Sequence, residues 1–206
     1  QEGYKFLAIS GIVTLILWSI SDFFGFIFTL VTIWVYYFFR DPERTIIDDD
    51  NYLVSPADGL ISNIKEINGP VEFGLDKQTF TKVSIFMNIF DCHVNRSPSK
   101  GKIEDIFYKP GKFLNASLDK ASEENERNYF KIKDDKSGDD IIVVQIAGLI
   151  ARRIVTQTKK DQQISQGERI GMIRFGSRVD LYFNKRKTMV KVGQNVIAGE
   201  SLIAKL

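Results

Sequence analysis

Between Phe6 and Phe39 the chain holds a single charged residue, Asp22. Phe6 to Ile20 and Phe23 to Phe39 are almost wholly apolar, and only Ser21-Asp22 interrupts them. A helix built from either run has no polar face for water, so it must be surrounded by protein or lipid. The runs are 15 and 17 residues long, slightly short of the roughly 20 that carry a helix across a bilayer. Lys5 precedes them and Arg40 and Arg44 follow, the sign of charge favoured on the cytoplasmic side. Trp18, Trp34, Tyr36 and Tyr37 lie near the run ends, where amphipathic rings meet headgroups. Residues 1–40 are thus expected to form a membrane-associated apolar helical hairpin, its open ends cytoplasmic. Two spans or a shallow hairpin in one leaflet satisfy this equally. A cleaved signal sequence fits poorly, because Trp18-Ser19-Ile20-Ser21-Asp22 offers no small-residue cleavage site. The chain opens on Gln1 rather than Met, so a few residues are expected before it.

Residues 41–206 have the composition of an ordinary globular domain. A net charge of +2 without a basic stripe gives no footprint for nucleic acid. Cys92 is the only cysteine and His93 the only histidine, so no internal disulfide and no metal site are expected. Strand-like runs recur between turn signals: Leu60 to Ile67, Thr81 to Phe90, Lys102 to Tyr108, Ile141 to Ile150, Arg169 to Phe175, Val179 to Phe183 and Thr188 to Val192, with Val54 in a further one. Asn115 to Arg127 and Ile150 to Thr156 are the helical candidates, and the charged Lys131 to Asp140 reads as a solvated hairpin loop. The expected class is α+β, mainly β.

Two segments repeat. Ile164-Ser165-Gln166-Gly167-Glu168-Arg169-Ile170 and Val196-Ile197-Ala198-Gly199-Glu200-Ser201-Leu202 share the pattern apolar-x-x-Gly-Glu-x-apolar. They resemble the hammerhead turns of lipoyl and biotinyl carrier domains, and Ser55-Pro56-Ala57-Asp58-Gly59 resembles the entry strand of those folds. The resemblance implies a barrel-sandwich-like β domain with few short helices. Neither candidate tip, Ser165-Gln166 or Ile197-Ala198, carries the lysine a carrier would need.

Near the end of the chain stands Phe175-Gly176-Ser177. A Gly-Ser pair is by itself a commonplace of loops. It can also undergo a reaction closed to most peptide bonds, since glycine leaves its carbonyl open to the serine hydroxyl and tolerates strained backbone angles. Together with Phe38-Phe39-Arg40-Asp41-Pro42-Glu43-Arg44, Ser55-Pro56-Ala57-Asp58-Gly59, Asp91-Cys92-His93-Val94-Asn95-Arg96 and Asn125-Glu126-Arg127-Asn128, it resembles the phosphatidylserine decarboxylases of the short bacterial type. The five stretches stand in the expected order over nearly the whole chain.

The resemblance implies self-cleavage between Gly176 and Ser177 into a large chain, 1–176, and a small chain, 177–206, that stay together as a heterodimer. Ser177 becomes a pyruvoyl group, the cofactor, which forms a Schiff base with phosphatidylserine and releases CO₂ and phosphatidylethanolamine. His93 and Asp58 are assigned to an Asp-His-Ser arrangement with Ser177. The implied partners are the phospholipid and a bacterial inner membrane; dimerisation of the heterodimer is open. Many relatives carry a second histidine three positions after the first, where this chain has Arg96. Arginine stays protonated and is a poor base, but its fork suits a substrate carboxylate or phosphate. The competing reading is a non-enzymatic, membrane-tethered barrel-sandwich binding module. A pyruvoyl enzyme acting on a soluble amino acid is a third, against which the apolar segment counts.

Overall fold

The computed structural model describes residues 3–113, 124–148, 153–174 and 177–206. The chain divides into two compact units, Gln1–Pro42 and Glu43–Leu206.

The first unit is a hairpin of two helices, α1 (Gly3–Ile20) and α2 (Asp22–Phe38), separated at Ser21, whose backbone is extended. Small and hydroxyl side chains meet where the helices touch, as they do when apolar helices cannot rely on water to drive them together. The Thr14 hydroxyl lies 2.9 Å from that of Thr32, and the Trp18 indole N–H donates to Thr29 Oγ1 at 3.1 Å. A side chain at Gly25 would strike the Trp18 ring. At the open end Phe6 stacks on Phe39 with centroids 5.2 Å apart. The outward surface is apolar, with Ile9, Leu15, Phe23, Phe26 and Ile33 exposed. By length and composition α1 could cross a membrane, while α2, at 17 residues, is shorter.

Among the described residues the second unit holds fourteen strands and one short 3₁₀ turn, Val71–Phe73. In chain order they are β1 (Tyr52–Val54), β2 (Gly59–Asn68), β3 (Thr79–Met87), β4 (Val94–Arg96), β5 (Gly101–Lys109), β6 (Arg127–Asp134), β7 (Asp140–Ala147), β8 (Ile154–Thr156), β9 (Gln163–Ile164), β10 (Arg169–Ile173), β11 (Ser177–Phe183), β12 (Lys187–Thr188), β13 (Asn195–Val196) and β14 (Leu202–Lys205). The main sheet has the order β13-β2-β3-β11-β7-β6-β5-β9, and two small sheets, β1-β14-β12 and β4-β10-β8, complete the domain. The expected mainly β domain behind an apolar helical hairpin is what forms.

Alternation along β11 sets the layers. Ser177, Val179, Leu181 and Phe183 are all fully buried, and the last three join Val83, Ile85, Met87, Phe130 and Val143 in the larger core cluster. Tyr182 of the opposite face packs with Phe80, Tyr129, Ile142, Val144 and Ile146. Each fully buried side chain of this size contributes about 1.5–3 kcal/mol, so β11, central and covered on both faces, is among the best-anchored elements.

The internal repeat is a structural duplication. Gly167 and Gly199 both take positive φ, 74° and 79°, and each N–H donates to a serine carbonyl at 2.8 Å, Ser97 and Ser55 respectively. Those serines begin matching segments. Ser55 Oγ donates to Ala57 O and Ser97 Oγ to Ser99 O, both at 2.6 Å. Val54 N–H donates to Pro98 O, and Arg96 N–H to Pro56 O, both at 2.9 Å. Two Ser-Pro segments thus cross, each seating one Gly-Glu turn. Ile46 packs over both glycines, where a side chain at either would collide with it.

Several expectations need correcting. Ile154–Thr156 is a strand and not part of a helix; three successive β-branched residues suit the sheet edge against β10. Residues 115–123 of the other helical candidate, Asn115 to Arg127, lie outside the described residues, and its last residue, Arg127, opens β6. Lys131 to Asp140 is not all loop. Phe130, Ile132 and Asp134 alternate inward, while Lys131 and Lys133 pair with Asp140 at 3.3 and 3.0 Å. The charges concealed a strand. Finally β3 stops at Met87, because Asn88 and Asp91 close a turn through their side chains. Cys92 and His93 then lie in the loop before β4 rather than on a strand.

Candidate active site

Ser177 is the first residue of β11, paired with Met87 of β3 on one side and Ala147 of β7 on the other. It is fully buried, and its hydroxyl donates to the Met87 thioether at 3.4 Å, a weak acceptor. Gly176, the other half of the expected cleavage pair, lies outside the described residues.

His93 is also fully buried. Its backbone carbonyl accepts from Ile173 N–H at 3.2 Å, which ties its loop to β10 four residues before Ser177. The ring Nδ1 lies 2.9 Å from the Asp91 carbonyl. A carbonyl only accepts, so Nδ1 is the donor. In the neutral ring this is the tautomer whose Nε2 can act as a base.

Asp58 occupies the turn after the first Ser-Pro segment. Its Oδ1 accepts from Ala198 N–H at 2.8 Å, and its Oδ2 meets Arg44 Nη2 at 2.7 Å. Arg44 and Asp58 are 11% and 13% exposed at their side chains, so the pair is largely withdrawn from water. Burial works against the Arg44 charge, but Asp58 and Cys92 outweigh it and hold the guanidinium above its ordinary value. Arg44 is thus held on the Asp58 turn. The sequence offers it only as a flanking charge of the apolar segment.

Among the described residues, the hydrogen bonds of the Asp58 carboxylate go to Arg44 and Ala198, and that of the Ser177 hydroxyl goes to Met87. Neither group is bonded to His93 in this arrangement. Arg96 is buried on β4, with Nη1 donating to the Gly167 carbonyl at 3.0 Å. Asn125 and Glu126 brace the strand beside Ser177. Asn125 Nδ2 donates to Ala147 O at 2.7 Å, and Ala147 N–H donates to Glu126 O at 3.0 Å.

A buried chain of amides went unnoticed in the sequence. Asn95 Nδ2 approaches Met87 Sδ at 3.8 Å, and its Oδ1 accepts from Gln145 Nε2 at 2.8 Å. Gln145 Oε1 accepts in turn from Asn128 at 3.3 Å. A side chain at Gly171 would collide with the Val155 carbonyl of β8 and crowd the Gln145 amide. Gln145 is the one polar residue in the apolar run Ile141–Ala147, a signal that was legible.

The family model described as phosphatidylserine decarboxylase matches residues 31–204. The chain belongs to that family. A relative from Pelagibacter ubique named phosphatidylserine decarboxylase proenzyme is 66% identical over 205 residues, covering 100% of this chain and 95% of the relative. A proenzyme of the same name from Ruegeria pomeroyi is 50% identical over 206 residues, covering 100% and 94%. One from Rickettsia typhi is 50% identical over 205 residues, covering 99% and 88%.

Proposed function

We propose that this chain is a self-processing decarboxylase of phosphatidylserine, and that Ser177 is both its cleavage nucleophile and the source of its cofactor. The burial of a serine at the very start of the doubly paired β11 carries this reading. A cut before it leaves β11 hydrogen-bonded on both sides, β14 between β1 and β12, and β13 on β2. The last thirty residues would thus remain woven into the domain.

In the cleavage step the Ser177 hydroxyl attacks the Gly176 carbonyl, and the Gly176–Ser177 amide shifts to an ester. A free hydroxyl is a poor nucleophile and needs a base; His93, through Nε2, takes that role once the hydroxyl leaves Met87. Removal of the Cα proton of residue 177 then expels the Gly176 carboxylate with the Cβ–O electrons. Tautomerisation and addition of water release ammonia and leave a ketone. That pyruvoyl group supplies an electrophilic carbonyl that condenses with a primary amine and accepts the electron pair left as CO₂ departs. A fully buried residue 177 fits the group, since a dry site strengthens every charge interaction around it.

Asp58, as the acidic member, supports the charged form of the imidazole, with Arg44 fixing its orientation. Arg96 is the candidate for the substrate's carboxylate or phosphate. Its planar fork suits either group, and its Nη1 is held by the Gly167 carbonyl. Lys5 and Arg40 flank the apolar hairpin with the charge favoured on the cytoplasmic side, which supports a domain that works at the cytoplasmic face of a membrane.

Ser177→Ala is the test. The wild-type chain should run as two fragments on a denaturing gel and release CO₂ from phosphatidylserine, and the variant as one inert chain. Two fragments from the variant, or an undivided wild-type chain with full activity, refute the assignment.

A further inference from the structure

The turn joining β3 to β4 inverts the usual pattern of a surface turn. Its central residues, Ile89 and Phe90, are 38% and 58% exposed, in positions that normally carry polar residues or glycine. The polar groups stand at the ends instead. Asp91 N–H donates to Asn88 O at 3.0 Å, Asn88 N–H to the Asp91 carboxylate at 2.8 Å, and Phe90 N–H to Asn88 Oδ1 at 2.8 Å. Asn88 and Asp91 therefore fix the turn and hold its two apolar side chains outward, between Met87 beside Ser177 and the loop of His93.

One further exposed aliphatic borders the site. Ile197, 42% exposed, precedes Ala198, whose N–H holds Asp58. Single exposed hydrophobics are ordinary. Three on two separate segments around one site are a rim. A cation stands with them: Arg153 is exposed, and its carbonyl accepts from Arg174 N–H at 3.2 Å, next to the Ile173 that bonds His93.

We propose that this rim rests on a lipid bilayer, with Ile89 and Phe90 entering the acyl boundary and Arg153 facing anionic headgroups. The inference deepens the function proposed above and rests on it, since a lipid substrate has to pass its headgroup to Ser177 without leaving the membrane. A bilayer is favoured over a protein partner by the chain's own route. It enters this domain from the apolar segment through Arg44, which is docked at Asp58 beside the same rim. Interfacial binding of this kind scales with the apolar area buried and with attraction to anionic lipid.

The test uses the full chain and the double variant Ile89→Ser/Phe90→Ser, assayed on phosphatidylserine vesicles and on dihexanoyl-phosphatidylserine below its micellar concentration. Loss of two partly buried apolar side chains should lower the vesicle rate about tenfold, with self-cleavage and the rate on the monomeric lipid unchanged. In a second arm Phe90→Trp is mixed with vesicles of brominated acyl chains, and its emission should be quenched more than that of wild type with Trp18 and Trp34 alone. An unchanged vesicle rate, an equal loss on both substrates, or a loss accompanied by a change in oligomeric state overturns the proposal. The last outcome would make the rim a contact between copies. A wild-type chain inert towards both substrates refutes the proposed function instead. The quenching arm then decides docking alone: extra quenching sustains it and none overturns it.

Discussion

The two crossed Ser-Pro segments share a backbone and differ in chemistry. Ser55 and Ser97 make the same short bond two residues ahead, accept alike from the glycine N–H of their turns, and seat glycines of nearly equal φ. Three residues past the first serine stands Asp58, withdrawn from water and paired with Arg44. Three residues past the second stands Lys100, exposed. The strand leading into the second segment carries Arg96 and follows His93, whereas the strand leading into the first carries Leu53 and Val54, both fully buried. The backbone is repeated, and the charged and titratable side chains on it are not.

The largest effects should therefore be asymmetric. Asp58→Asn is expected to slow self-cleavage by about a hundredfold, the low end for loss of a group that assists proton transfer, while Lys100→Gln leaves it within about twofold, since isolated surface charges matter little. Densitometry of the cleavage fragments over time measures both. Removing Asp58 also strands the Arg44 charge, which is costly on its own account. Asp58→Asn/Arg44→Met controls for that: restored stability with cleavage still slow assigns the loss to chemistry, and restored cleavage would mean that Asp58 only neutralises Arg44.

The next effects should be symmetric. Gly167→Ala and Gly199→Ala each force a side chain into left-handed backbone and against Ile46, at about 1–3 kcal/mol. Thermal melts of the two variants on a Ser177→Ala background, where every molecule is undivided, should show similar drops. A drop at one turn alone would break the equivalence of the halves.

This division explains what was legible in the chain. The repeat could be read because a tight turn requires glycine at one place, and the two turns required it twice. The apolar hairpin could be read because nothing polar interrupted it for a turn of helix. Asp58, His93 and Ser177 came from a family resemblance and not from periodicity, since each is a single residue in a short segment. Arg44 was legible only in part, because a charge after an apolar run serves equally as a membrane flank or as the partner of a distant carboxylate. Only the fold chooses, by bringing residue 58 to it. The same holds for Lys131 to Asp140, where outward lysines hid a strand whose inward residues continue the core.

The smallest effect tests the duplication at the level of one hydrogen bond. Ser55 and Ser97 are both fully buried, and each hydroxyl donates at 2.6 Å to a carbonyl two residues on. Alanine at either position removes the donor and leaves that carbonyl short of a partner, a loss of about 1–2 kcal/mol. Measured by denaturant unfolding on the undivided Ser177→Ala background, the two losses should agree within about half a kcal/mol and should add in the double variant. Additivity is the expectation for sites that share no partner, but these segments exchange backbone bonds through Val54 with Pro98 and Arg96 with Pro56. A double variant less stable than the sum would mean that the crossing is one cooperative unit, in which a disturbance at Ser97 reaches the turn that holds Asp58.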